Sequence, residues 1–381
     1  MIGAGTLLAA LSRRGVAEVT GVPCSYLTPL INRSASDPTV RYLPATHEGE
    51  AVALSTGSWL AGVTACVIGQ NSGLGNMVNP LTSLNYPGRI PIPLVVTWRG
   101  EPGRPDEPQH ELLGAIMPAL LELMRIGQAV LPADPAHLDR VLDEGWTAMA
   151  HGQLPYAFIL RQGVVAAESL AEPPPAARTV PHIVRYDPPE APPARIAALE
   201  TLLGVLPDEA AVVSTTGKTS RELFTLADRP QHFYLVGAMG SASAVGLGVA
   251  RHTGRPVVVV DGDGAALMRL GTLVTVGAHP APNLLHVVLD NGVHDSTGGQ
   301  RTLAAQVDFP ALAAACGYSQ VHDCGGLASF GDALKAAQSS PGPAFVYLRI
   351  SPGSLTGLGR PDVQPVEVAR RFRAFVTGAD S

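Results

Sequence analysis

The sequence contains few cysteines, few lysines and no long apolar run. Its 381 residues include four cysteines, and none of them forms a CxxC pair. This excludes a fold that depends on many disulfides, and we expect buried thiols in a cytoplasmic protein. No stretch approaches the roughly 20 unbroken apolar residues of a membrane-spanning helix. The start of the chain has no basic leader, so we predict an amphipathic first helix and not a signal peptide.

The composition and net charge indicate which kinds of partner the protein can bind. The formal net charge is −6, hydrophobic residues make up 46% of the chain, and charged residues make up 15%. Such a composition can bury a large core, which excludes bulk disorder. The net negative charge argues against nucleic acid as the main partner. An anionic small substrate would need a local positive field, and Lys218 is one of only two lysines.

Strand-like and helix-like segments alternate twice along the chain, which predicts an α/β protein with two open parallel-sheet domains. The predicted strands are Glu18–Val22, Val40–Leu43, Val63–Ile68, Ile92–Thr97, Tyr156–Leu160, Ala211–Val213, Val257–Val260, Leu284–Leu289 and Ala344–Leu348. The predicted helices include Glu48–Ala61, Pro135–Ala150, Ala194–Val205, Ser241–Arg251, Ala265–Ala278, Phe309–Cys316 and Leu327–Ala337. Proline density predicts a stiff linker over 172–193, between domains at 1–171 and 194–381.

Two polar clusters follow predicted strands of the second half. The first is Asp261-Gly262-Asp263-Gly264, and the second includes Asp290-Asn291. Ligands bind at the carboxyl ends of parallel strands, and a carboxylate with a carboxamide suits Mg²⁺ or Ca²⁺. Taken alone, the first cluster could equally be a tight turn. A nicotinamide site is less well supported, because the GxGxxG pattern is missing.

These clusters resemble the GDG…NN signature of thiamine-diphosphate-dependent enzymes. The resemblance implies that Asp263, Asn291 and the backbone carbonyl of Val293 bind Mg²⁺. The first Asn of the family's pair is Asp290 here, which is not a ligand position. Further cofactor contacts are implied at Thr216, Gly217, Gly240, Ser241, Gly262, Gly264 and Ala265.

The first half contains a candidate for the family's catalytic glutamate. The segment from Ala45 to Leu54 resembles a motif in which Glu48 would contact the aminopyrimidine ring of the cofactor and stabilise its imino tautomer. A buried carboxyl there would have a raised pKa, which suits a group that must hold a proton. Glu50 is the competing residue, although it faces away along the helix. Alternatively, Glu48 only complements the helix dipole.

Several stretches resemble the family of phosphonopyruvate decarboxylases in particular. The clearest is RGEPG-x-x-DEPQH at 99–110. Without the resemblance, its many charged residues and prolines would indicate only a solvent-exposed loop. The other stretches are 21–23, 214–223, 236–243 and 290–300. The resemblance implies a pyrimidine-binding and a diphosphate-binding domain without a middle domain, and a homodimer or larger homo-oligomer with shared sites.

The implied reaction converts 3-phosphonopyruvate into phosphonoacetaldehyde and CO₂, in a phosphonate-making pathway such as that of an antibiotic. His110 and His294 are the candidate proton carriers. The phosphonate would be bound by Lys218, Arg221, Asn71 and Ser72, and the weaker candidates are Arg99, Arg104 and Arg301. Three alternatives stay open: decarboxylation of 3-sulfopyruvate, a non-catalytic subunit of the same fold, and a nicotinamide oxidoreductase.

Overall fold

A computed structural model describes residues 1–37, 41–171, 174, 180–187, 191–279 and 281–379. The chain divides into two compact units. The first comprises Met1–Trp59 with Val63–Ala176, and the second comprises Leu60–Gly62 with Ala177–Ser381. Among the described residues, no helix combines the length and apolar character that crossing a membrane requires.

The first unit contains a six-stranded parallel sheet in the order β2-β1-β3-β4-β6-β5. Its strands are β1 (Val16–Gly21), β2 (Arg41–Pro44), β3 (Thr64–Gln70), β4 (Pro93–Thr97), β5 (Gly127–Val130) and β6 (Tyr156–Leu160). Its helices are α1 (Ala4–Ser12), α2 (Thr28–Ser36), α3 (Glu48–Leu60), α4 (Leu74–Pro80), α5 (Tyr86–Gly88), α6 (Glu111–Leu123) and α7 (Leu138–Gly152). Every residue of β4 is buried, as expected for a central parallel strand with both faces covered.

The second unit contains a seven-stranded parallel sheet in the order β7-β14-β15-β11-β10-β8-β9. Its strands, with the short antiparallel pair β12 and β13 beside the sheet, are β7 (Ile183–Arg185), β8 (Ala211–Ser214), β9 (His232–Tyr234), β10 (Val257–Gly262), β11 (Leu284–Asp290), β12 (Val293–His294), β13 (Gln300–Arg301), β14 (Gln320–Cys324) and β15 (Ala344–Arg349). The core lies along β10 and β11, whose valines and leucines are buried on both faces.

Helices also surround the second sheet. They are α8 (Arg195–Val205), α9 (Lys218–Leu226), α10 (Ala242–Ala250), α11 (Asp263–Met268), α12 (Gly271–Ala278), α13 (Phe309–Cys316), α14 (Leu327–Ser339) and α15 (Pro365–Thr377). All nine residues of α10 are buried, which explains its uniformly small and apolar sequence. The predicted α/β class, with two parallel sheets, is confirmed.

The structure corrects the prediction at several elements. The strands β5, β7, β9 and β14 were not predicted, because they are short and their sequences lack an uninterrupted apolar run. The predicted helix at 265–278 is two helices, and the first begins earlier, at Asp263. The break follows from Arg269, whose backbone angles of φ −135° and ψ 51° lie outside the helical region.

Part of the predicted linker cannot be assessed. Residues 172, 173, 175–179 and 188–190, and Val40 of a predicted strand, lie outside the described residues. Within the described part, β7 pairs with β14 at the edge of the second sheet. This portion of the proline-rich segment is therefore extended, but it belongs to the sheet of the second unit. The domain boundaries themselves stay a prediction.

Candidate functional site

The candidate site of the second unit lies at the carboxyl edge of its sheet. In this sheet β9 lies on one side of β8 and β10 lies on its other side, so the chain changes direction across the sheet at β8. This makes a topological switch point, the place where open α/β sheets bind ligands. A cavity of about 300 Å³ opens there. Its lining includes the predicted residues Thr216, Gly217, Lys218, Gly262, Asp263, Gly264, Ala265, Asn291, Val293 and His294.

Asp263 is the buried carboxylate of this cavity. It begins α11 directly after β10, and it is only 2% exposed. Thr302 donates a hydrogen bond to its Oδ2. Burial raises the pKa of Asp263 above its ordinary value in spite of this bond, and the nearby negative charge of Asp290 adds to the rise. A bound cation would favour the charged form and so reverse this effect.

Asn291 follows β11 and is fixed by two hydrogen bonds. Its Nδ2 donates to Oδ2 of Asp295 at 2.8 Å, and its Oδ1 accepts from the backbone N–H of Val293 at 3.2 Å. The carboxamide orientation is therefore set by the protein. Asp263, Asn291 and Val293, the three predicted metal ligands, all line this one cavity.

Asp290, where this chain departs from the family pattern, has a structural role. It is 5% exposed, and its Oδ1 accepts from the backbone N–H of Gly292 at 2.8 Å. Its Oδ2 accepts from the hydroxyl of Tyr347 at 2.6 Å. Both carboxylate oxygens are thus used to shape the turn after β11.

The predicted residues Gly240 and Ser241 are not part of this lining, although they directly follow Met239, which is. A β-carbon on Gly240, which has φ +84°, would lie 3.0 Å from the carbonyl oxygen of Ala265. A β-carbon on Gly264 would lie 2.8 Å from Cε1 of His294. The imidazole of His294 therefore packs directly on the glycine turn, and a larger residue in place of either glycine would force a local shift.

Two buried hydroxyl groups without hydrogen-bond partners in the described part of the chain bear on whether a diphosphate and its metal fit this part of the unit. Thr215 lines the cavity and Ser241 begins the turn before α10. Both are at most 3% exposed, and among the described residues neither hydroxyl has a hydrogen-bond partner. Buried polar groups are normally satisfied, so the unpaired hydroxyl of Thr215, which lines the cavity, and the hard oxygen ligands fit a phosphate-bearing ligand. No cluster of three or more His, Cys, Asp or Glu side chains suited to a metal occurs in the described ranges; the predicted set has one carboxylate.

Two predicted basic residues are not in this cavity. Arg221 donates to the backbone carbonyls of Leu358 and Gly359, the latter at 2.7 Å. Arg301 is exposed in β13. The structure thus separates Lys218, which lines the cavity, from Arg221, which is engaged with the C-terminal segment.

In the first unit, Glu48 meets the turn that follows β3. It is the first residue of α3, and its Oε2 accepts from Nδ2 of Asn76 at 2.7 Å. A β-carbon on Gly73 would lie 2.3 Å from its Oε1. The sequence predicted a buried carboxyl group here, but Glu48 is only half-buried.

Glu50 has a different role from Glu48. It is 1% exposed, and its Oε2 accepts from both the backbone N–H and the hydroxyl of Thr46 at 2.7 Å. This closes the N-terminal turn of α3, where a carboxylate is also favoured by the helix dipole. Glu50 therefore caps the start of α3. Glu48 lies in the same first turn, and its role at the cofactor stays a prediction.

Asn71 and Ser72 differ in their surroundings. Asn71 is 1% exposed, and its carboxamide bonds both the carbonyl and the N–H of Arg99, at 2.7 and 3.2 Å. It thereby joins the ends of β3 and β4. Ser72 is exposed and accepts from Nε2 of Gln70. Their binding to a substrate stays a prediction.

The charged loop after β4 is organised by an ion pair. The guanidinium of Arg99 donates to Asp106, with one bond of 2.8 Å, and lies 4.7 Å from the ring centroid of Tyr26. Arg99 holds the pKa of Asp106 well below its usual range. Arg104 pairs with Glu101 at 3.1 Å. Both arginines are thus engaged in maintaining the loop.

His110 ends this loop. It is 8% exposed and immediately precedes α6. It lies in the same unit as Glu48, whereas His294 lies in the second unit. The two candidate proton carriers therefore belong to different parts of the chain.

Three residues hold the predicted ones in place, and sequence reasoning assigned this role to none of them. They are Asn76, which bonds Glu48, Thr302, which bonds Asp263, and Asp295, which bonds Asn291. Asp295 lies inside the stretch 290–300 that carried the family resemblance, and Thr302 lies just beyond it. A search for polar residues near each predicted ligand could have found these two. Asn76 belongs to a stretch of glycines and small polar residues, 70–76, that is typical of a binding loop, but nothing in the sequence indicates that it meets Glu48.

Comparison with protein families agrees with this geometry. Residues 1–117 match the sequence model for "Thiamine pyrophosphate enzyme, N-terminal TPP binding domain". Residues 215–348 match that for "Thiamine pyrophosphate enzyme, C-terminal TPP binding domain". A crystal structure of benzoylformate decarboxylase from Polynucleobacter necessarius has a TM-score of 0.71 at 14% identity, covering 93% of this chain and 100% of the other, which shows a shared fold.

Sequence identity to individual proteins shows which branch of this family the chain belongs to. The chain is 61% identical to a phosphonopyruvate decarboxylase of Streptomyces viridochromogenes, over 99% of this chain and 96% of the relative. It is 60% identical to one of Streptomyces hygroscopicus, over 99% and 94%. A sulfopyruvate decarboxylase of Methanosarcina acetivorans is 28% identical over 95% of both chains. The chain therefore belongs to the thiamine pyrophosphate enzymes and, within them, to the phosphonopyruvate decarboxylase family.

Proposed function

We propose that this chain decarboxylates 3-phosphonopyruvate to phosphonoacetaldehyde and CO₂, with thiamine diphosphate and Mg²⁺ as cofactors. The similarity to two phosphonopyruvate decarboxylases along nearly the whole chain carries the proposal. The cavity at the carboxyl edge of the second sheet supports it, because residues from separate stretches of sequence meet there in the expected combination.

In the second unit, Asp263, Asn291 and the carbonyl of Val293 would hold Mg²⁺ together with the diphosphate. The buried hydroxyls of Thr215 and Ser241 and the glycine-lined turns would supply donors and space to the phosphate oxygens. Asp263 would bind as a carboxylate, since the charge of the cation offsets the effect of burial on its pKa.

In the first unit, Glu48 would hold a proton at its carboxyl group against a ring nitrogen of the aminopyrimidine. Asn76 fixes the orientation of this carboxyl by donating to Oε2. When bound, thiamine diphosphate supplies the electron sink that a 2-oxo acid needs to lose CO₂. His294 and His110 are proposed to move protons to and from the substrate.

Lys218 is proposed to bind an anionic group. It lines the cavity, and no carboxylate forms an ion pair with it among the described residues. By contrast, Arg195 in the same lining is paired with Asp295 and Glu222. Lys218 therefore supplies a cation to the diphosphate or to the phosphonate.

The alternative substrate is 3-sulfopyruvate, whose sulfonate carries less negative charge than a doubly ionised phosphonate. It is less well supported, because the full-length sulfopyruvate decarboxylase is 28% identical whereas the phosphonopyruvate decarboxylases are 60% or more. A non-catalytic role is disfavoured by the intact Glu48, Asp263 and Asn291.

The test is release of CO₂ and aldehyde by the purified full chain from phosphonopyruvate and, separately, from sulfopyruvate. Each substrate is tried with thiamine diphosphate and Mg²⁺, with one of them, and with neither. We expect turnover of phosphonopyruvate only with both cofactors, and a higher kcat/KM than for sulfopyruvate. Absence of turnover in a protein that binds thiamine diphosphate would support the non-catalytic alternative instead.

The setting of this reaction is also part of the proposal. Decarboxylation is irreversible and would draw phosphonopyruvate away from its more stable phosphoenolpyruvate isomer, which suits phosphonate biosynthesis in the cytoplasm, for example of an antibiotic. We propose a homodimer at least, as the family resemblance implies. Light scattering of the purified chain would test this, and a monomer with full activity would contradict it.

A further inference from the structure

Asp295 joins three distant parts of the second unit at a single carboxylate. Its Oδ2 accepts from Nδ2 of Asn291 at 2.8 Å and from the guanidinium of Arg195. Both of its oxygens lie within 3.3 Å of the backbone N–H of Gly353. The start of α8, the turn after β11 and the segment after β15 therefore converge on this side chain.

This arrangement determines which way the carboxamide of Asn291 faces. The NH₂ group of Asn291 faces Asp295, because Nδ2 donates to Oδ2 of that carboxyl group and an amide nitrogen can only donate. Its carbonyl oxygen Oδ1 is then directed to the other side, where it lies 3.2 Å from the N–H of Val293. That is the oxygen the predicted metal site requires.

Arg195 holds the side chain of Asp295 in place by donating to its Oδ2. Arg195 is 5% exposed, and it also lies 3.6 Å from Glu222 and donates to the carbonyl of Gly353 at 3.2 Å. Glu222 is the matched counterpart of Asp295: both are carboxylates beside Arg195 and both bond the segment after β15, since Oε1 of Glu222 accepts from Leu355 at 3.0 Å. Only Asp295 bonds Asn291.

We propose that Asp295 is a positioning residue for the metal ligand Asn291, and that Arg195 acts through it. The inference rests on the proposed function, because it assumes that Asn291 binds Mg²⁺. Residues that orient a metal ligand typically change metal affinity about 10- to 100-fold when they are removed.

The experiment compares Asp295→Ala with Glu222→Ala. Each leaves Arg195 with one carboxylate and removes one bond to the segment after β15. Mn²⁺ is titrated into the full-length protein with saturating thiamine diphosphate, and binding is followed by electron paramagnetic resonance. We expect Asp295→Ala to weaken Mn²⁺ binding about 10- to 100-fold, and Glu222→Ala to leave it nearly unchanged even if its thermal unfolding temperature falls further.

A second variant and a reference variant complete the design. Asp295→Asn keeps an oxygen that can accept from Asn291, and we expect it to regain most of the lost Mn²⁺ affinity; it also serves if Asp295→Ala does not fold. Equal losses in Asp295→Ala and Glu222→Ala, or an undiminished affinity in Asp295→Ala, would overturn the inference. Asp263→Ala distinguishes failure of the inference about Asp295 from failure of the proposed function. If Asp263→Ala does not weaken Mn²⁺ binding, the proposed metal site itself is wrong.

Discussion

The carboxyl group of Glu48 occupies the space in which Gly73 would carry a side chain. A β-carbon on Gly73 would come within 2.3 Å of Oε1 and 2.5 Å of the carboxyl carbon. The backbone of Gly73 has φ −73°, an angle that alanine adopts without strain. Any effect of a methyl group at this position must therefore act through displacement of Glu48.

We predict that Gly73→Ala lowers the decarboxylation rate about 100-fold, the loss that a displacement of about 1 Å in a reacting group can cause. The measurement is kcat with phosphonopyruvate at saturating cofactor. Gly75→Ala is the control, because a β-carbon there meets nothing within 4 Å. If both variants keep the native rate, the position of Glu48 does not limit catalysis.

Replacing each of the two glutamates at the start of α3 with glutamine distinguishes their roles. We expect Glu48→Gln to bind thiamine diphosphate but to lose about 10²- to 10⁴-fold in turnover, because the amide cannot exchange a proton as a carboxyl does. Glu50→Gln should keep turnover and lose about 1 kcal/mol of stability, since the charged cap on Thr46 is weakened. Steady-state kinetics and denaturant unfolding of both variants check this. Near-native turnover of Glu48→Gln would refute its role.

Lys218 provides a test of which anion the cavity binds. Losing a hydrogen bond to a charged group costs about 1.5–3 kcal/mol, or roughly 10- to 100-fold in affinity. Because Lys218 lines the same cavity as Asp263, we predict that Lys218→Met raises the dissociation constant of thiamine diphosphate by this factor. Calorimetric titration measures it. An unchanged constant with a raised KM for phosphonopyruvate would assign Lys218 to the substrate.

Arg221→Met is the matched control for Lys218. Arg221 bonds the carbonyls of Leu358 and Gly359, so its loss should loosen the C-terminal segment. We expect faster proteolysis of that segment with little change in cofactor affinity. A large loss of cofactor affinity in Arg221→Met would show that Arg221 contributes to the site after all.

His232 should make the stability of the protein depend on pH. It is 1% exposed, and burial lowers its pKa to about 4. The unfolded chain takes up this proton below about pH 6.5, but the folded chain does not until about pH 4, so stability falls as the pH drops across this interval. The loss for this one group is about 3 kcal/mol. Urea unfolding at pH 7 and pH 4.5 should therefore differ less for His232→Gln than for the native protein, and an equal difference would contradict the prediction.

The sequence alone predicted the central strands and the residues at their carboxyl ends. The runs that became β10 and β11 are long and apolar because both faces of a central parallel strand are buried. The polar turns after them follow directly in sequence, so local pattern and position in the sheet agree. The strands that the sequence did not predict show the opposite case. The residues of β9, at one edge of the sheet, and of β14, between β7 and β15, include histidines and other polar groups. They form strands because neighbouring strands pair with them.

The sequence also selected Glu48, but by resemblance, and left Glu50 as an alternative. Only the tertiary structure separated the two, because the direction of each side chain depends on a partner that spacing does not reveal. Glu50 turns back to Thr46 within its own helix start, whereas Glu48 meets Asn76 and Gly73, which the fold of the first sheet brings to it. In the same way, Asn291 could be named from its motif, but its orientation is set by Asp295 and Arg195. Arg195 lies about a hundred residues earlier, and hydrogen bonds across such distances form only when the sheet and its helices have assembled.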